Sequence, residues 1–359
     1  MLAVSLKLHN YRSYTDESFE FDPRLTLIQA PNAHGKTNLL EALYFASTGR
    51  GIYEDAKEEL IHFGEKDMYV VLSCRDGENG TRDGDGANER VFKAGIHTLE
   101  TGAVKHFMVQ TNRKGMYSYT RETPPVVLFS PSFMNIIEGS PSKRRVFVDV
   151  LLCRIDIEYK KRLRNYENAI RKRNKIIEKE RDEGKLREAL HFWDTYLIEQ
   201  ADYIVAKRSW LAEYMNSTPL EHMGHTFTLK YIPRVMSGQT LEESFEKQYY
   251  QRRTLVGPQR DEFRIIKDKQ GVDVDVHTYA SRGEQRLALL WLIIHQLNLY
   301  ASHLESPPIL LLDDILSELD DDNKTLIQNI VGKYQTIVTS AEEIPEEVMR
   351  PGKVIHLVK

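Results

Sequence analysis

The chain has 359 residues, 41% of them hydrophobic and 28% charged, with a net charge of −4 at pH 7. That length exceeds what one core usually holds, so two domains are expected, and the overall charge gives no nucleic-acid footprint. Only two cysteines, Cys74 and Cys153, occur far apart without a Cys-x-x-Cys, and the twelve histidines lack metal spacing, which excludes a disulfide framework and a zinc hook.

Taken in chain order, Met1–Leu8 alternates like a strand and has no basic leader or cleavage site. No stretch approaches about 18 uninterrupted apolar residues, so a cytosolic protein with no membrane partner is expected. Arg24–Gln29 reads as a strand. It runs into Ala30-Pro31-Asn32-Ala33-His34-Gly35-Lys36-Thr37, and a helix is predicted over Asn38–Ser47. Strand, loop and helix is the setting a phosphate loop requires, with backbone N–H groups of residues 33–37 around the phosphates and the helix N-terminus adding partial positive charge. Ala30, Asn32, Ala33, His34, Gly35, Lys36, Thr37 and Asn38 are therefore candidate nucleotide-binding residues. Lys36 is expected to reach the β and γ phosphates of ATP, and Thr37 to place its hydroxyl on Mg2+. The usual first glycine is Ala30, which fits only if that position needs no positive φ. A chance Gly-Lys-Thr at a helix start is the plainer alternative.

Asp76–Glu89, rich in Gly, Asp and Asn, reads as a long mobile loop between strands. Tyr159, Leu163, Tyr166, Ile170 and Ile177 recur at helical spacings, and a second helix is predicted over 186–215 after a break at Glu183-Gly184-Lys185, giving an antiparallel pair. From Arg154 to Arg187 there are 13 Lys or Arg against 7 Asp or Glu. Such a stripe would pair with phosphates and release counterions, and Lys160, Arg171 and Arg173 are the candidate DNA contacts within it. A solvated helix face laced with ion pairs explains the same charges.

Ser281-Arg282-Gly283-Glu284-Gln285-Arg286 opens another predicted helix and presents a hydroxyl and bare backbone N–H groups, a cradle for phosphate. A serine N-cap with Glu284 in the first turn accounts for the same residues. Pro308–Leu312 is a continuous apolar run ending in Asp313 and Asp314, as in a buried parallel strand with ligands at its carboxyl end. Asp313 is expected to hold Mg2+, and Asp314 to orient and deprotonate an attacking water, with Lys36 as the second catalytic residue. A pair of acids capping the next helix is the alternative. Thr336–Ser340 reads as a last core strand whose Thr339 would contact the γ phosphate.

These motifs together resemble the ABC-type ATPases. The resemblance implies an α/β fold in which an ABC-type (P-loop, SMC-like) ATPase head, residues 1–150 plus 251–359, is interrupted by an α-helical arm domain at 151–250. It implies further that Ser281, Gly283 and Glu284 face the nucleotide of another protomer, making ATP the glue of a homodimer. Asp314 stands where glutamate is usual, one methylene shorter, so slow hydrolysis is expected. Ser317-Glu318-Leu319-Asp320 resembles the loop that touches the partner's site.

Over nearly its whole length the chain also resembles one family, the recombination mediator RecF. Phe129-Ser130-Pro131 and Glu138-Gly139-Ser140-Pro141-Ser142-Lys143-Arg144-Arg145 are similar to segments that precede the arm in that family. Gly257-Pro258-Gln259-Arg260-Asp261-Glu262 is similar to the segment that re-enters the head, and Arg173-Asn174 and Trp193-Asp194 fall where RecF proteins carry the same pairs. Gln259 for histidine, Glu262 for aspartate and Arg282-Gly283-Glu284 for Gln-Gly-Gln depart from the pattern. The resemblance implies an ATP-induced dimeric clamp at junctions of single- and double-stranded DNA. Such a clamp acts in gap repair and replication, with RecR and RecO as partners in loading RecA and weak, DNA-stimulated ATP hydrolysis for release. Arg144 and Arg145 would then contact phosphate, of DNA or nucleotide; a solvated basic turn is the alternative. Two other readings share the same head: a regulatory or defence-system ATPase acting on a protein partner, and the ATPase subunit of a nuclease complex.

Overall fold

Leu25–Gln29, Val126–Phe129 and Ile309–Asp313 are apolar over most of their length, and these strands and Thr336–Ser340 are almost entirely buried, as strands covered on both faces must be. The structure is a computed structural model and describes residues 1–52, 56–76, 89–218, 220, 227–269, 271–314, 330–341 and 350–357. In it these strands join Lys353–His356 in a five-stranded parallel sheet, in the order Lys353–His356, Leu25–Gln29, Thr336–Ser340, Ile309–Asp313, Val126–Phe129. Parallel pairing brings all the carboxyl ends to one edge. Asp313 lies opposite Thr339, Ser340 opposite Gln29 and Leu312 opposite Phe129. The segments that begin at Ala30, Ser130, Asp314 and Ala341 therefore leave the sheet side by side, where ligands of such sheets sit.

A second sheet is antiparallel and six-stranded, in the order Tyr14–Glu20, Leu2–Tyr11, Asp67–Arg75, Glu89–Leu99, Gly102–Val109, Asn112–Lys114. Its strands alternate, with Met68, Val70, Leu72 and Cys74 buried between half-buried Tyr69, Val71 and Ser73. The helix Lys36–Thr48 touches strands of both sheets, and its Leu39, Leu40, Leu43 and Phe45 are fully buried. A helix in contact with two sheets must be apolar on most sides, and each such Leu or Phe contributes roughly 1.5–3 kcal/mol.

By packing, the chain divides into two compact units, Met1–Ser132 with Ile293–Lys359, and Phe133–Leu292. The first holds both sheets and is built from the two ends of the chain. The second holds the helices Pro141–Ile155, Ile157–Lys179 and Glu183–Ser217 and a three-stranded antiparallel sheet in the order Val272–Asp275, Glu262–Lys269, Phe227–Ile232. The helical unit thus takes in residues 133–150 and 251–292, beyond the 151–250 expected for an arm. The cause is a set of buried polar ties. Arg144 Nε donates to Phe263 O at 2.6 Å, and Arg208, in the long helix, pairs with Asp149 at 2.9 Å and Asp261 at 2.7 Å. Arg208 and Asp261 are 2% and 0% exposed, and leaving one of them unpaired would cost about 3–5 kcal/mol.

The break between the two arm helices falls earlier than Gly184. Asp182 caps the second helix, its Oδ1 accepting from Lys185 N–H at 2.8 Å, so the glycine lies inside the first turn. Tyr159, Tyr166 and Ile177 of the predicted face are buried, and Ile177 packs with Leu186, Leu190 and Phe245. Residues 77–88, most of the segment read as a loop, and Ser317–Asp320 lie outside the described residues. Among the described residues, no helix is long and apolar enough to cross a membrane.

Candidate nucleotide site

The loop that follows Leu25–Gln29 begins with Ala30, whose N–H donates to Ser340 O at 3.3 Å. Its left-handed residues are Ala33, φ 66°, and Gly35, φ 90°. An alanine at 30 therefore strains nothing. Ala33, in contrast, holds a conformation that costs an L-residue roughly 1–2 kcal/mol. Gly35 has a second reason to be glycine, because a Cβ there would meet Tyr14 Oη at 2.9 Å and Ser13 Oγ at 3.2 Å.

Lys36 is 7% exposed and its ammonium is already placed, donating to Ala30 O at 2.6 Å, Pro31 O at 3.0 Å and Asn32 Oδ1 at 3.5 Å. These are weaker acceptors than phosphate oxygens, so an anion can take the ammonium over without moving it far. His34 Nδ1 sits 3.1 Å from Asn32 O within the loop, and Asn38 Nδ2 donates to Ser13 Oγ at 3.0 Å. Beside them, a cleft of about 360 Å³ is lined by Asn32, Ala33, Gly35–Asn38, Pro131, Asp313 and Asp314. That volume lies in the range of small-ligand sites.

Three hydroxyls from separate segments converge on the Asp313 carboxylate. Thr37 Oγ1 donates to it at 3.1 Å, Thr339 Oγ1 at 2.9 Å and Ser130 Oγ at 3.3 Å. Asp313 is 5% exposed, and burial pushes its carboxyl above the ordinary value although the three hydroxyls oppose this. The Thr37 hydroxyl and the Asp313 carboxylate are hard oxygen donors of the kind Mg2+ takes when phosphates and water complete its shell. Asp314, φ 50°, borders the same cleft, and its N–H donates to Thr339 Oγ1 at 3.0 Å. Thr339 thus ties the two acids to each other.

The turn before Arg282–His303 is exposed at Ser281, Arg282 and Gly283. Glu284 N–H donates to Ser281 Oγ at 3.3 Å and Ser281 N–H donates to Glu284 Oε2 at 2.8 Å, a reciprocal capping box. The cap and the phosphate cradle turn out to be compatible. The cap satisfies Ser281 and Glu284, the hydroxyl keeps its own proton to donate, and among the described residues the N–H groups of Arg282 and Gly283 have no acceptor. A Cβ on Gly283 would meet nothing within 4 Å. Glu284 also accepts from Lys267 Nζ at 2.6 Å, and this hydrogen bond, foremost, holds its carboxyl down at about 2.

Two of the candidate DNA contacts are corrected by their burial. Arg144, 7% exposed, spends Nε on Phe263 O and Nη1 on Gly139 O at 2.9 Å. Arg173, 1% exposed, pairs with Asp194 at 2.6 Å and donates to Gln248 and Thr254. Both hold the helical unit together. Half-buried Arg145 donates to Asp261 O at 2.7 Å. Half-buried Lys160 and exposed Arg171 remain at the surface, Arg171 donating to Asn168 of its own helix at 2.5 Å.

One contributor escaped the sequence reading, the turn Arg12–Tyr14. Tyr14 Oη donates to Gly35 O at 3.0 Å, and Arg12 makes a two-pronged bond to the buried Glu41 carboxylate at 2.9 and 3.1 Å. Asn10 and Arg12 both have positive φ, 47° and 52°. The hydroxyls of Ser130 and Thr339 at Asp313 are further members that spacing alone did not connect.

Comparison with known proteins accords with this geometry. The model of the AAA domain family matches residues 5–203. The chain is 30% identical to the DNA replication and repair protein RecF of Natranaerobius thermophilus, over 95% of this chain and 91% of that protein. It is 29% identical to the protein of the same name from Agathobacter rectalis, over 100% and 98%. Among solved structures it is similar to the recombination mediator protein RecF-ATP of the RecFOR pathway, with a TM-score of 0.82 and 27% identity over 96% of this chain and 93% of that one. The Smc head domain of Pyrococcus furiosus, bound to the C-terminal domain of ScpA, has a TM-score of 0.54 at 17% identity over 99% of this chain and 93% of that one, a likeness of fold alone. The fold is α/β and that of the ABC-type ATPase heads of RecF and SMC proteins. With that fold and full-length relatives at this identity, the chain belongs to the RecF family.

Proposed function

We propose that this protein is an ATP-switched, DNA-binding ATPase of recombinational repair, cytoplasmic and active as a dimer. The observation that carries the reading is the convergence of Lys36, Thr37 and Asp313 at the carboxyl edge of the parallel sheet. Lys36 would bind the β and γ phosphates, and Thr37 and Asp313 would hold Mg2+. When bound, that ion would neutralise part of the triphosphate charge. Asp314 would orient the attacking water and accept its proton, and its shortness relative to glutamate makes turnover slow. The exposed turn Ser281–Glu284 would complete the site of a second copy of the chain, so that two protomers close around two nucleotides. Closure would present basic groups such as Lys160, Arg164, Arg171 and Lys175 to a junction of single- and double-stranded DNA, with RecR and RecO as partners in loading RecA and hydrolysis as the release.

The test is binding to a gapped or tailed duplex with ATP, with ADP and without nucleotide, while light scattering follows the oligomeric state. ATP-dependent dimerisation with tighter junction binding is expected. Dimerisation without any gain for DNA would remove the repair clamp and direct the search to a protein partner. Absence of dimerisation would remove the composite site itself.

A further inference from the structure

We infer that Lys267 is a positioning residue for the turn Ser281–Glu284, cancelling the charge of Glu284 so that the turn can receive an anionic phosphate. The inference rests on the reading above, in which this turn completes the nucleotide site of a second protomer. Its starting point is the acid that the turn carries: position 284 is a glutamate in the first turn of the helix. A carboxylate in the first turn of a helix suits that helix, yet it repels a triphosphate brought to the same N–H groups. It cannot escape by taking up a proton, since its carboxyl is held at about 2.

The structure contains the compensation. Lys267, on the strand Glu262–Lys269, is 8% exposed, and its ammonium donates to Glu284 Oε1 at 2.6 Å. The other oxygen accepts the Ser281 N–H at 2.8 Å. Both carboxylate oxygens are therefore directed into bonds of the cap. The exposed residues Arg282 and Gly283, with their N–H groups and the open space over Gly283, are left to a ligand. A lysine so nearly buried, aimed at a carboxylate, leaves the pair close to neutral and fixes the side chain that caps the turn. Lys267 thereby removes the net negative charge that Glu284 would otherwise bring to the turn.

The experiment is a charge-compensation cycle on the full chain: Lys267→Met, Glu284→Gln and the two together, with Lys267→Arg as the conservative variant. ATP-dependent dimerisation is read by light scattering, with binding of a fluorescent ATP analogue by the protomer and thermal melting recorded in parallel. Lys267→Met should weaken dimerisation by at least about tenfold, because it leaves a bare carboxylate at the turn. Lys267→Arg should stay close to the unsubstituted protein, and Glu284→Gln in the Lys267→Met background should restore dimerisation. If Lys267→Met dimerises like the unsubstituted protein, or if Glu284→Gln fails to rescue it, the assignment is overturned, and in the second case Lys267 serves only the fold. If the unsubstituted protein does not dimerise with ATP while still binding the analogue, the composite-site reading falls and takes this assignment with it.

Discussion

The cleft beside Lys36 and the turn at Ser281 both offer backbone N–H groups at a helix start, but their surroundings are opposite. In the cleft, Lys36 and Asp313 are almost wholly buried and already engaged, the lysine by loop carbonyls and the carboxylate by three hydroxyls. At the turn, Ser281, Arg282 and Gly283 are exposed, and the cap and Lys267 hold Glu284. A site whose groups are pre-bonded can bind and orient a ligand alone, since little remains to be ordered. An exposed glycine turn with open space above it gains its ordering from whatever covers it. The contrast fits a nucleotide that is held by one chain and sealed by another.

That contrast can be broken at several points. Lys36→Ala should have the largest effect, lowering affinity for a fluorescent ATP analogue by about a hundredfold or more, because bonds to a charged partner are among the strong ones. Binding near the original affinity would mean that the cleft does not hold phosphate. Ser281→Arg should abolish ATP-dependent dimerisation in light scattering while the protomer still binds the analogue; a persistent dimer would show that the turn is not at the interface. Asp314→Asn should slow phosphate release by roughly 10²–10⁴ and leave the ATP-bound dimer intact, whereas normal turnover would reassign the water-activating role. Tyr14→Phe deletes the bond to Gly35 O and should lower thermal stability by about 0.5–1.5 kcal/mol, with a small loss of nucleotide affinity.

The smallest effect concerns acid. Glu284 has its carboxyl depressed to about 2, so its contribution to stability is present above the unfolded value near ~4.3 and is lost as pH falls toward about 2. Acid melts of the protein and of Glu284→Gln should therefore differ by a constant amount near neutral pH and converge in that window. A difference that persists through it would mean the pair with Lys267 is not what lowers the carboxyl.

The nucleotide half was legible because it is written in consecutive residues. Gly35-Lys36-Thr37 and the run ending Asp313-Asp314 each fix their own strand, loop or helix, and the parallel sheet then brings them to one edge. Residues that join the site through tertiary contact were hidden. Nothing in the spacing of Arg12, Tyr14 or Ser130 says that they meet Gly35, Glu41 or Asp313, and Thr339, expected at the γ phosphate, gave no sign of its bond to Asp313. Charge counting misplaced Arg173 for a related reason. A stripe of lysines and arginines does not reveal which of them turns inward, and Arg173 does so because Asp194, Gln248 and Thr254 await it there. The helical unit takes in more than the expected arm because Arg144 and Arg208 bond Phe263, Pro258 and Asp261, 50 or more residues away in sequence.

The order of strands in the parallel sheet bears on how the protein is made. Leu25–Gln29 lies between Thr336–Ser340 and Lys353–His356, so this strand has neighbours that are synthesised more than 300 residues after it. Until then it is an apolar segment without its neighbours in the sheet, while residues 133–292 make up a compact unit of their own. A message truncated before residue 309 would yield no Asp313 for Thr37 to meet and two bare strands, Leu25–Gln29 and Val126–Phe129. Such a fragment would expose apolar strand edges, the kind of surface that drives aggregation.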